Sequence, residues 1–151
     1  MRKYRGKRVD NGEWTYGYYF KIWEQTYILW GTTNDIPNME EVDPKTVGQS
    51  IGLNDKIGQE LWEGDISQRY YNEHYPELIG VIKWDETQAQ FVWYAKFPNG
   101  EAVSCNLGHY LNGHSSSHKK GESKQDLVIG NITDNPKLLT KVKDMGGIAG
   151  K

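Results

Sequence analysis

The chain has 151 residues, 36% of them hydrophobic, a formal net charge of −2 and a mean hydropathy of −0.78. That length supports one domain, or two small ones sharing a core. No apolar run reaches the roughly 20 residues of a membrane helix, and the acidic balance argues against wholesale wrapping of nucleic acid.

The basic start MRKYRGKRVD is followed by no apolar signal core. The lone Cys105 excludes an internal disulfide and a thiolate metal cluster. A cytoplasmic protein without a cofactor is the expectation. Aromatic usage is skewed, with 6 Trp and 10 Tyr against 3 Phe. Trp and Tyr suit half-buried pleated surfaces and interfaces, because one end is apolar and the other hydrogen-bonds.

In chain order, residues 1–8 alternate basic side chains, the pattern of a charge-protected edge strand or of an arm for phosphate. Asn11-Gly12 predicts a type I′ hairpin turn. The run from Trp14 to Phe20 then predicts an aromatic strand, with Trp14, Tyr16 and Tyr18 on one face by period-2 counting. Packing against a core or sheet is the expected use of that face. Residues 27–30 read as its partner strand and 32–41 as a loop, with a short strand at 39–42.

Asp43-Pro44-Lys45-Thr46 predicts a turn. A dense glycine-marked stretch follows, with strands at 47–50 and 59–62 around a turn at 53–58. A Glu63-Gly64-Asp65 corner launches the next strand, 65–71. Residues 78–85 form the longest apolar strand. Residues 89–94 return from it, and Pro98-Asn99-Gly100 turns the chain into 101–105. Residues 106–125 are polar and read as an exposed loop. A last strand at 127–131 precedes a short helix with Pro136 at its first position. Short strands with turn chemistry between them predict a mainly β, antiparallel protein with little helix.

At this point the residues resemble a known family. Arg5-Gly6-Lys7, Gly12-Glu13-Trp14 with Tyr16-Gly17-Tyr18, and Val47-Gly48-Gln49 carry the first part of the likeness. Gly52-Leu53 with Asp55-Lys56, Glu63-Gly64-Asp65-Ile66, and Val128-Ile129-Gly130-Asn131-Ile132 with Asn135-Pro136 carry the rest. In order and spacing they resemble the YopX family over about residues 2–139. The resemblance implies a small protein of phages and prophages of low-GC Gram-positive or gut bacteria. It also implies an SH3-like barrel in the C-terminal part. It brings no established activity, and no catalytic or ligand residue transfers with it. The expected organisation is a β-rich part over 1–64, a barrel part over 65–139 and a frayed tail over 140–151. Segments 26–38 and 109–124 depart from the family pattern.

Candidate chemistry is sparse. His109, His114 and His118 are the nearest approach to a metal set, but Gly113 and Ser115-Ser116-Ser117 make that segment a loop. Asp55, Glu60, Glu63 and Asp65 cluster in sequence, where turn-forming hydrogen bonds are the expected role. Nothing supplies nucleophile, base and orienter together, so an enzyme is not expected.

Two functional readings remain. The first is a non-enzymatic binding or assembly module, self-associating or holding a protein partner. There Trp62, Tyr70, Trp84, Trp93 and Tyr94 divide between core and one exposed aromatic patch. The alternative is a nucleic-acid accessory or regulatory protein whose Arg2, Arg5, Arg8, Lys119, Lys120 and Lys124 converge on phosphate.

Overall fold

The computed structural model describes residues 2–69, 78–107 and 126–139. Tyr4–Lys7 (β1), Trp14–Ile22 (β2), Gln25–Thr33 (β3), Ile36–Glu41 (β4) and Gly48–Asn54 (β5) come first. Glu60–Trp62 (β6), Asp65–Arg69 (β7) and Leu78–Asp85 (β8) follow. Gln90–Lys96 (β9), Ala102–Asn106 (β10) and Asp126–Asn131 (β11) complete the strands among the described residues. The protein is mainly β, and every strand pair is antiparallel where the register is defined.

The chain divides into two compact units, Met1–Ser50 and Ile51–Lys151. The division falls inside β5, upstream of the expected boundary at 64. The reason lies in β6: Leu61 is fully buried and shares one hydrophobic core with Leu78, Ile82 and Trp93. The residues from 140 on lie outside the described part.

In the first unit the strand order is β4-β3-β2-β1-β5. Beyond β4, Val42 donates its N–H to the Thr26 carbonyl and bridges to Arg8, so the sheet curls back towards β1. Ile28 and Val42 are buried on the inside of that curl.

Two turns differ from expectation. At Asn11-Gly12 only Gly12 has positive φ (71°), so no type I′ turn forms. Gly12 instead closes a longer loop by donating its N–H to the Arg8 carbonyl, and Asn11 accepts from the Glu13 N–H. The two-residue type I′ geometry sits at Asn34 (φ 50°) and Asp35 (φ 62°). The expected loop over 32–41 is therefore the end of β3, a tight turn and β4.

In the second unit β6 follows β5, and a five-stranded sheet runs β10-β9-β8-β7-β11. The last strand thus returns beside the first of a meander. Alternation along β8 turns Leu78, Gly80 and Ile82 inward, opposite Ala95 and Trp93 of β9. Gly80 is required there by space. A Cβ at that position would stand 2.7 Å from Trp93 Nε1 and Cζ2.

Among the described residues, three carboxylates lie fully inside this unit. Asp55 Oδ1 accepts from the N–H groups of Ile57 (3.0 Å) and Gln59 (2.8 Å), and its Oδ2 from Val128 N–H (3.1 Å). Asp65 accepts from Trp62 N–H at 2.8 Å and holds the Glu63-Gly64 corner. Asp126 meets Arg69 two-pronged, at 2.9 and 2.6 Å, and also accepts from Ser67 at 3.2 Å. Both side chains of the Arg69–Asp126 pair are fully buried. After β11 one helical turn, at 137–139, follows Pro136.

Two stability outcomes follow from these contacts. Gly80→Ala forces the Trp93 ring to move and lowers stability by about 1–3 kcal/mol in chemical denaturation. Arg69→Met leaves Asp126 as a lone buried charge and costs about 3–5 kcal/mol. Adding Asp126→Leu to Arg69→Met recovers most of that loss. A double variant no more stable than the single one would show that the ion pair is not the cause.

Candidate functional site

The site builds up from β2. Its register with β1 sets Arg5 opposite Tyr16 and Lys7 opposite Trp14. Its register with β3 sets Tyr18 opposite Leu29 and Phe20 opposite Tyr27. β4 adds Met39 opposite Leu29. Directly paired residues share a face, and alternate residues along a strand share it too. Trp14, Tyr16, Tyr18, Phe20 and Ile22 therefore form one row, with Tyr27, Leu29 and Met39 beside it. The opposite face holds Thr15, Gly17, the buried Ile28 and, paired with it, Tyr19, which is part-exposed and packs on Tyr4 at 5.4 Å between ring centroids.

The aromatic row is the outer face. Tyr16 is 49%, Tyr18 40% and Met39 49% exposed, whereas Thr15 is buried. The expectation that this row packs on a core is corrected by that exposure. Period-2 counting shows which residues share a side, not which side is dry. Phe20 and Tyr27 stack across the strands, with ring centroids 5.4 Å apart and planes 18° from parallel. At the β1 end, the Arg5 guanidinium lies 4.7 Å and the Lys7 ammonium 5.3 Å from the Trp14 ring centre.

The far end of the row is the Trp23-Glu24 turn joining β2 to β3. Trp23 has φ 53° and is 86% exposed. At the first position of a two-residue hairpin turn such a φ suits glycine, asparagine or aspartate, and a tryptophan adopts it under strain. Further along β3 the register with β4 shifts between Leu29 and Gly31, leaving Trp30 between the paired positions and 52% exposed.

The residues singled out from the sequence fall elsewhere. Trp62 and Trp93 are buried. Trp84 is 41% exposed and meets Phe91 edge-on at 5.1 Å. Tyr94 is half-buried with the Lys83 ammonium 3.9 Å from its ring centre. Trp84 shares the side of Ile82, whereas Tyr94, opposite Val81, points to the other side of the sheet. The structure does not bring Trp84 and Tyr94 into one patch. Tyr70 lies outside the described residues.

Of the candidate phosphate contacts, Arg2 is exposed and Arg5 is buried. Arg8 is held by Asp10 at 2.6 Å and Glu40 at 3.1 Å. The Arg8 hydrogen bond keeps the Asp10 carboxyl below its ordinary pKa, and Asp10 in turn raises that of Arg8. Arg5 is thus withdrawn from the surface and Arg8 is already engaged by acids. Lys119, Lys120 and Lys124 lie outside the described residues, as do His109, His114 and His118.

Sequence reasoning had the aromatic row but gave it to the core. Its inner neighbours pointed the wrong way: Thr15 and Gly17 are small and polar by type, yet they lie on the buried side. The exposed Trp23 left no sequence signal, because Trp-Glu is not turn chemistry.

A comparison with the curated proteins found no match. Among solved structures, the protein EF1440 from Enterococcus faecalis is similar at 20% identity and a TM-score of 0.43. That match covers 92% of this chain and 98% of the other. The family model described as YopX protein matches residues 3–140, so the chain belongs to the YopX family.

Proposed function

We propose that this chain is a non-enzymatic binding or assembly module that docks a protein surface on the outer face of β2 and β3. The observation that carries the reading is the half-exposed row of Tyr16 and Tyr18, backed on its other side by the buried Thr15 and Ile28. Amphipathic aromatic rings tolerate water while free and contribute large apolar area when covered. The buried acids support a non-catalytic role, since Asp55, Asp65 and Asp126 are occupied by turn, corner and ion-pair bonds.

A phage or prophage origin and a host-cytoplasmic setting belong to the same reading, as the family resemblance implies. The return of β11 beside β7 supports an SH3-like second unit. The nucleic-acid alternative draws less support. Residues 1–50 carry seven basic and seven acidic side chains, and Arg8 is already paired with acids.

In dilute solution the protein is expected to take up the apolar dye ANS, and Tyr18→Glu is expected to abolish that uptake while the fold, read by circular dichroism, is kept. Labelled mixed-sequence single-stranded DNA is expected to stay unbound at low salt. DNA uptake that falls with added salt would transfer the function to phosphate recognition. Dye uptake unchanged by Tyr18→Glu would remove the outer face as the docking site.

A further inference from the structure

Resting on that docking reading, we infer that the outer face is covered by a second copy of this chain, laid antiparallel across a two-fold axis at Tyr18. Tyr18 is the midpoint of β2, four residues from each end of the strand. A two-fold axis in the face, perpendicular to β2 at that point, sets Tyr16 of one copy against Phe20 of the other. The same operation sets Trp14 against Ile22. Two-fold interfaces require a surface complementary to itself, and this row satisfies that requirement.

Charge runs the same way. Lys7, half-buried, stands over Trp14 at one end of the row, and Glu24 sits in the turn at the other. The two-fold axis brings the Glu24 end of each copy to the Lys7 end of its mate. The same overlap gives Trp23 a surface to cover it. A tryptophan with positive φ and 86% exposure is costly to the monomer twice over, in backbone strain and in wetted apolar area. Contact with a second copy offsets the second cost.

The edge of the sheet is a poorer route. β4 ends the strand order and carries Pro37, Glu40 and Glu41, which oppose strand-to-strand pairing.

Size sets the strength. The nine-residue β2 is flanked by β1 over 14–17 and by β3 over 18–22, so the footprint is about 30 Å long and two strands, about 10 Å, wide. A matched pair then covers on the order of 600 Å² in total, in the range of weak, transient contacts. The dimer is therefore reversible and dissociates on dilution.

Sedimentation velocity of the chain over a concentration series tests this. The wild type is expected to pass from monomer to dimer. Trp23→Gly is expected to weaken the dimer at least about tenfold. Its melting temperature should be unchanged or raised, because glycine accepts the positive φ. A residue with a merely structural role would lower the melting temperature instead. Lys7→Glu and Glu24→Lys should each weaken the dimer by about fivefold, and the two together should restore it.

Three results would overturn the inference: a wild type that stays monomeric throughout, a Trp23→Gly dimer of unchanged strength, or a charge exchange without rescue. A monomer whose ANS uptake is lost in Tyr18→Glu overturns the second copy and leaves the docking reading intact. A monomer with no dye uptake overturns both.

Discussion

Two buried carboxylates attach the last strand to the second unit, and the five-stranded sheet depends on them. Asp55 reaches across 73 residues of sequence to accept from Val128, and Lys56 donates its N–H to the Asp126 carbonyl. Asp126 then locks onto Arg69 of β7, directly across the ladder. Ordering so distant a strand costs chain entropy, and β-ladder bonds alone place it weakly. Burying charge is costly as well, and it is tolerated here because each oxygen has a donor in good geometry. The gain is register, because a slipped β11 would take the Val128 donor from Asp55 Oδ2 and part the Arg69–Asp126 pair in a dry interior.

That arrangement decides where function can reside. Carboxylates close in sequence suggest acid–base or metal chemistry, but those of the 55–65 segment that are buried here are consumed in holding turns. The Trp93 ring is likewise committed, wedged against Gly80 with the Arg69 guanidinium 4.5 Å from its centre. The described part of the second unit spends its distinctive side chains on itself. The first unit does the reverse: Ile28, Val42 and small residues line the buried part of its inner side, Tyr4 and Tyr19 pack together beyond them, and Tyr16, Tyr18, Trp23 and Trp30 are exposed.

Much of the fold was legible. Glycine-marked turns and alternating apolar runs located most strands within a few residues, because turn chemistry and period-2 burial are local properties. The losses were non-local. Asn34-Asp35 and Asn11-Gly12 are both plausible tight turns, and only strand pairing decides which takes the left-handed pair. Asp126 ended what looked like a polar loop and gave no hint of a partner 57 residues upstream. The aromatic candidates Trp62, Trp84, Trp93 and Tyr94 were ranked by type. Burial depends on which side of a strand faces a second layer, and that is absent from the strand itself.

The composition of the outer row follows from the same physics. A row of Ile and Val at these positions would drive irreversible sheet stacking, since nothing in such side chains prefers water. A row of Tyr and Trp keeps hydroxyl or indole N–H groups wet while free and still presents broad apolar rings for contact. The cations over Trp14 extend that compromise, adding attraction to the ring face without closing it off. The skew towards Trp and Tyr is thus the mark of a surface built to be covered and uncovered. The β2–β3 hairpin, ending in an exposed tryptophan, is where that surface is concentrated.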